Sequence, residues 1–142
     1  TLVGLSKYIL GMTDMAIVSQ KAQQGRLDRI DLRVGDIVSG DMIGLADSIT
    51  ASNFGKHSDE ATDADLALAI FNLVYQTIGV VAHGAAKATK NTRIILTGRL
   101  ATFPQAESIF ASLSSLFGLE FQIPKWAEYA TAVGAAVLAH CS

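Results

Sequence analysis

The segment Arg93-Ile94-Ile95-Leu96-Thr97-Gly98 most constrains the fold of this chain. A short β-branched apolar run closed by glycine predicts a buried strand that ends in a loop. Pro104 then suits a helix start, with Ile109, Phe110, Leu113, Leu116 and Phe117 inside and Gly118 as its stop. Residues 119–124 alternate as a second strand, and the alanine-rich stretch from Ala127 to Leu138 predicts a closing helix that packs tightly. Strand, helix, strand, helix is an α/β pattern. Two strands, however, cannot make a stable sheet, and the helices would have too little to cover. The chain reads as an incomplete unit whose other strands come from a partner or from sequence upstream of Thr1.

Ahead of this pattern the period is helical. Leu2, Leu5, Ile9 and Leu10 predict a first helix stopped by Gly11. Thr13 or Asp14 caps a second, carrying Met15, Ile17 and Val18, with Gly25 as its stop. Ile30, Leu32, Val34 and Ile37-Val38 allow a short helix or strand, and the Gly-, Asp- and Ser-rich stretch from Ser39 to Glu60 is long for a connection. Thr62-Asp63-Ala64-Asp65 forms a capping box, after which Leu66, Ile70, Leu73, Val74, Ile78 and Val81 trace one helical face to about Lys87. Gly79 and Gly84 inside that helix cost roughly 1 kcal/mol each, which predicts close approach to a neighbouring backbone. Lys87 and Lys90 suit the negative end of the helix dipole.

At 142 residues the chain is one domain, or one lobe of something larger. Half of it is hydrophobic and 17% is charged, against roughly 25% in an average domain, which predicts an interface and excludes disorder. A net charge of −2 supports neither a nucleic-acid groove nor a basic membrane-steering patch. The single cysteine, Cys141, allows no disulfide framework and fits a reducing cytoplasm. No targeting pattern opens the chain, and its apolar stretches are broken short of the ~18 residues of a membrane span, so a cytoplasmic protein without a membrane partner is expected.

His57, His83 and His140 lack metal-ligand spacing, and no metal site is expected. No nucleophile elbow, phosphate-binding P-loop or dinucleotide fingerprint is present. Asp28, Asp31, Asp36, Asp41 and Asp47 are too irregular for a calcium loop and read as surface residues. Three places stand out. Thr1 to Gly4 opens a helix, whose free N–H groups suit an anion or simply start the fold. Gly98-Arg99 follows a strand, where open α/β sheets bind ligands and where plain turns also occur. Residues 49–55, Ile-Thr-Ala-Ser-Asn-Phe-Gly, mix small, amide and aromatic groups in a loop, as binding loops do.

These places carry a family likeness. Thr1-Leu2-Val3-Gly4-Leu5-Ser6-Lys7, Ile30-Asp31-Leu32-Arg33-Val34-Gly35-Asp36-Ile37, Thr50-Ala51-Ser52-Asn53-Phe54-Gly55 and Tyr129-Ala130-Thr131-Ala132-Val133-Gly134-Ala135 together resemble the type II pantothenate kinases. That family has a two-lobed, actin-like (ribonuclease H-like) fold and phosphorylates pantothenate to 4′-phosphopantothenate with MgATP, at the entry to coenzyme A biosynthesis. The resemblance is to the C-terminal half and covers nearly all of residues 1–142. It implies a C-terminal lobe lacking its first strands. It also implies that Thr1, Leu2, Val3, Gly4, Met15 and Arg99 lie at the ATP site. Thr50 and Ala51 match a wall of the pantothenate pocket donated by the partner subunit, and Leu113 and Ser114 fall where the family often carries a bulky aromatic that closes that pocket. The helix over residues 63–87 resembles the family's homodimer-forming helix.

The family's first phosphate loop, its catalytic glutamate and its pantothenate-binding arginine have no counterpart in these residues. Phosphoryl transfer needs nucleotide, metal and acceptor held in one place. No catalytic residue is therefore expected here, ATP and Mg²⁺ binding would need the N-terminal half, and the chain alone should be inactive. Two other readings stand beside this one: another small-molecule kinase of the actin-like fold, and a non-catalytic module that dimerises through the long helix.

Overall fold

A computed structural model describes residues 1–38, 45–56 and 58–140. It shows mixed helix and sheet, with helix predominating. The chain divides into two units, Thr1–Val74 and Tyr75–Ser142. Cys141, His57 and Asp41, on which sequence expectations rested, lie outside the described residues.

The first unit opens with α1 (Leu2–Leu10), which buries Leu2 and Ser6. Gly11 ends it in the left-handed conformation at φ 69°, and the amides of Gly11 and Met12 donate back to the carbonyls of Lys7 and Ser6. That pattern satisfies carbonyls which a helix end otherwise leaves free. In α2 (Met15–Ala22), the Asp14 carboxylate accepts from the amides of Ala16 at 2.9 Å and Ile17 at 3.5 Å. This helix ends before Gly25, which has a different task. A Cβ on Gly25 would stand 2.2 Å from the carbonyl oxygen of Ala64, so only glycine lets this segment lie against the start of the long helix.

Strands β1 (Leu32–Arg33) and β2 (Thr50–Ser52) pair antiparallel, with an irregular register between Leu32↔Ser52 and Arg33↔Thr50. A one-turn helix, α3 (Val34–Ile37), follows β1. Part of the expected long loop is therefore strand. The long helix α4 (Asp63–Thr89) begins as the capping box predicts: Thr62 Oγ1 accepts from the Asp65 amide, and Asp65 Oδ2 accepts from the Thr62 amide. Ala67, Ala69, Ile70, Phe71 and Val74 are buried, as are Val18, Ala22 and Ile30, and together they are core residues of this unit. Full burial of Ile70 or Phe71 contributes about 1.5–3 kcal/mol each.

In the second unit, α4 continues and β3 (Arg93–Ile95) pairs in parallel with β4 (Glu120–Gln122). The connection runs through a 3₁₀ turn at Arg99–Thr102 and α5 (Pro104–Phe117), a βαβ unit as the sequence pattern predicts. Gly118, at φ 63°, terminates α5. Tyr75, Phe110 and Phe121 form an aromatic chain, with ring centroids 5.4 and 5.1 Å apart. The Tyr75 hydroxyl donates to the Leu100 carbonyl at 2.7 Å, and burial pushes its pKa well above the ordinary 10.0. The chain then passes through a 3₁₀ turn at Ala127–Tyr129 into α6 (Ala130–His140).

Several expectations are corrected. Strand β3 is not buried, since Ile95 is 53% exposed: a two-stranded sheet leaves its face uncovered. Helix α6 buries no residue, so its alanines do not pack tightly here. Leu116 of α5 is exposed. On α4 the inward face drifts, and Val81 is 69% exposed while Phe71 and Tyr75 are buried. Gly79 accommodates the Leu113 side chain, not a backbone, and Gly84 has open space around it. Helix α4 is also long and apolar enough to cross a membrane, contrary to the sequence expectation. Its buried Asp65 and Asn72, both hydrogen-bonded to polar groups of the first unit, mark it as a core helix. Finally, Asp31 is no surface residue: it is fully buried.

Candidate functional site

Asp31 draws four hydrogen-bond donors together in the first unit. Its Oδ1 accepts from the Phe54 amide at 2.9 Å. Its Oδ2 accepts from the side-chain amide of Asn72 at 2.7 Å, the Thr50 hydroxyl at 3.3 Å and the side-chain amide of Asn53 at 3.4 Å. Asn72 also donates to Thr50 Oγ1 at 3.3 Å. The carboxylate thus ties α4 to β2 and to the turn that follows. Phe54 is held in the left-handed region, at φ 54°, which a bulky residue occupies only when its surroundings impose it. Thr50 is half-buried against this cluster, and Ala51, pointing the other way along the strand, is exposed. Beside the turn lies a cavity of about 300 Å³, lined by Ile30, Phe54, Gly55, Lys56, Ser58, Ala61 and Leu66.

A second polar node fixes the start of α4. Asp65, 1% exposed, accepts from the amides of Arg26 at 2.7 Å and Thr62 at 2.8 Å, from the Thr62 hydroxyl at 2.8 Å, and from Arg29 Nη1 at 3.3 Å. Burial pushes its pKa up, but the bonds donated by Thr62, Arg26 and Arg29 outweigh burial and hold it below the ordinary 3.8. On the surface, the Lys56 ammonium pairs with Asp36 at 2.7 Å and lowers that carboxyl's pKa.

The expected nucleotide-side residues are placed as follows. Thr1 is the N-cap residue of α1, and its carbonyl accepts from the Leu5 amide at 2.9 Å. Leu2 is buried, Val3 is exposed and Gly4 is half-buried, with open space where a Cβ would stand. One turn further, Ser6 is fully buried and its hydroxyl has no hydrogen-bond partner among the described residues. Met15, half-buried, opens α2. Arg99 belongs to the second unit, exposed, just after Gly98, whose φ of 92° only glycine adopts readily.

Beyond the carboxyl ends of β3 and β4 lies a groove of about 560 Å³. Thr102, Phe103 and Pro104 line one side and Ile123, Pro124 and Lys125 the other, with Phe110 and Phe121 at its apolar wall. Its position is the one in which open α/β sheets bind ligands. Arg99 is not among its lining residues. Leu113 is buried against Gly79, and Ser114 Oγ accepts from the Phe121 amide at 3.3 Å. Thr1–Gly4, Met15, Thr50 and Ala51 thus share the first unit, and Arg99, Leu113 and Ser114 the second. Among the described residues no cluster of three or more His, Cys, Asp or Glu could hold a metal ion.

Sequence reasoning passed over Asp31 and Asn72. The available signal was an asparagine on the apolar face of a helix, between Ile70-Phe71 and Leu73-Val74, where an unpaired amide would be costly.

The family model described as Fumble matches residues 1–122, and the chain belongs to that family. Fumble is the family of type II pantothenate kinases. The type II pantothenate kinase of Oceanobacillus iheyensis is 30% identical over 99 residues, which cover 68% of this chain and 38% of that protein. The type II pantothenate kinases of Bacillus cereus and Bacillus anthracis are 28% and 29% identical over 101 residues, 69% of this chain and 37% of each relative. The matched part thus spans well under half the length of these relatives.

Proposed function

We propose that this chain is the C-terminal lobe, over residues 1–142, of an enzyme that phosphorylates pantothenate with ATP to give 4′-phosphopantothenate, in a cytoplasmic pathway to coenzyme A. The observation that carries this reading is the family match over residues 1–122, together with relatives named as type II pantothenate kinases. The two-stranded parallel sheet, with Ile95 53% exposed, and α6, without a buried residue, support a lobe of an actin-like fold completed by further strands.

In this reading Thr1, Leu2, Val3, Gly4, Met15 and Arg99 face ATP. The unpaired N–H groups at the start of α1 favour a phosphate, and Arg99, exposed after Gly98, is free to stack on adenine or reach phosphate. Thr50 and Ala51 form the wall that one subunit donates to its partner's pantothenate pocket. Ser114, half-buried at the end of α5, is the more accessible of the pair with Leu113 at the pocket's closing position. The homodimer forms through α4, whose Val80 and Val81 are 56% and 69% exposed. Mg²⁺, the attacking hydroxyl's base and the first phosphate loop are supplied by the N-terminal half, so this chain alone is inactive. Neither another actin-like sugar or acetate kinase nor a non-catalytic dimerising module accounts for the family match as directly.

The test is substrate competition in the full-length polypeptide. Pantothenate should be phosphorylated, and sugars or acetate in excess should leave its turnover unchanged. Phosphorylation of a sugar or acetate in place of pantothenate favours the other kinase reading, and absence of any nucleotide binding favours the non-catalytic one.

A further inference from the structure

We propose that Asp31 is a positioning residue for the pantothenate pocket: it pins the segment from Thr50 to Phe54 and thereby fixes the wall formed by Thr50 and Ala51. The proposal rests on the assignment of that wall under Proposed function.

The carboxylate is completely buried, and its four donors come from two stretches of chain, residues 50–54 and Asn72 on α4. Among the described residues no lysine or arginine ion pair includes it. A buried charge of this kind persists only while its hydrogen bonds are made, so those bonds impose one arrangement on the groups that make them. Three of the four donors belong to the strand and turn that carry Thr50 and Ala51. The left-handed Phe54, whose amide donates to Asp31 Oδ1 at 2.9 Å, shows that the turn is held in a conformation it would not adopt freely.

The bonds also define what the wall offers. The Thr50 hydroxyl has one proton, and in this arrangement it is donated to Asp31 Oδ2 at 3.3 Å, while one lone pair receives Asn72. Thr50 therefore has no proton left to donate to a substrate. On the opposite face of the strand Ala51 exposes its methyl group, so the side turned away from Asp31 offers a small apolar contact whose position, set through Thr50 by Asp31, decides which substrate tail fits.

Asp31→Ala and Asp31→Asn variants of the full-length polypeptide test this, with pantothenate and ATP varied separately in steady-state kinetics. Loss of the buried acceptor should raise KM for pantothenate by about tenfold or more in the alanine variant. KM for ATP should stay within about twofold, since no ATP-side residue bonds to Asp31. The asparagine variant keeps one acceptor for Phe54 and should fall between; it carries the comparison if the alanine variant does not fold. Equal rises in both KM values, or an unchanged KM for pantothenate, overturn the proposal. Amide hydrogen exchange gives a readout independent of activity. Exchange should accelerate at Phe54 and over residues 50–55 alone; no change there, or acceleration throughout the first unit, overturns the proposal. If the wild-type enzyme leaves pantothenate unphosphorylated, the functional reading fails, and exchange in the variants separately decides whether Asp31 pins the turn.

Discussion

Replacing Asp65 with alanine should destabilise the fold of the first unit strongly. The side chain is 1% exposed and accepts four bonds, from the Arg26 amide, the Thr62 amide and hydroxyl, and Arg29. Alanine leaves the Arg26 and Thr62 amides without their acceptor, removes half of the capping box, and strips Arg29 of its 3.3 Å ion pair. Hydrogen bonds to charged groups contribute about 1.5–3 kcal/mol each and are not additive, and breaking a buried pair costs about 3–5 kcal/mol. We take about 3–5 kcal/mol as the expected loss, roughly a 10–15 °C fall in melting temperature for a chain of this size. The pH dependence has a definite sign. The folded-state pKa lies below the ordinary 3.8, so Asp65 contributes its stability fully above that value and loses it as pH falls through the lowered one. Urea denaturation of wild type and variant at neutral pH and in acid is the assay. The gap between them should narrow on acidification below about pH 4. A neutral-pH gap under about 1 kcal/mol, or one that does not narrow in acid, would refute the reasoning.

Three further outcomes follow from the geometry. Gly25→Ala should cost about 2 kcal/mol or more by chemical denaturation, because the added Cβ would stand 2.2 Å from the Ala64 carbonyl oxygen and backbone must move. Tyr75→Phe, which removes the 2.7 Å bond to the Leu100 carbonyl while keeping the ring, should cost about 1–2 kcal/mol in the same experiment. Val80→Glu combined with Val81→Glu should convert the proposed homodimer to monomer on size-exclusion chromatography while leaving the circular dichroism of the helices intact, since both side chains are exposed within the chain; retention of a dimer would move its interface away from this face of α4.

What the sequence discloses here is what lies close together along it. The capping box of Thr62 and Asp65 and the glycine stops at Gly11 and Gly118 are legible because donor and acceptor stand within a turn or so of each other. The βαβ order is legible from the change of hydrophobic period. Burial is less so. The β-branched run at Arg93–Ile95 reads as a covered strand, but covering depends on neighbouring strands, and among the described residues β3 has only β4 beside it. Asp31 is the clearest case of a residue whose role is invisible locally, because its donors stand 19 to 41 positions away. Among irregularly spaced acidic residues, it looked like part of a solvated surface. The family likeness pointed to residues 50–55 as a motif, yet only the fold shows what holds that motif in place.

The central claim is that these residues supply one half of a pantothenate kinase. It is tested most directly by mass-spectrometric detection of 4′-phosphopantothenate after incubating pantothenate, ATP and Mg²⁺ with three samples: this chain alone, the full-length polypeptide, and this chain co-expressed with the N-terminal half as a separate chain. The account predicts no product from the first and ATP-dependent product from the other two. A folded, nucleotide-binding full-length polypeptide that leaves pantothenate unchanged, or product formed by this chain alone, contradicts it.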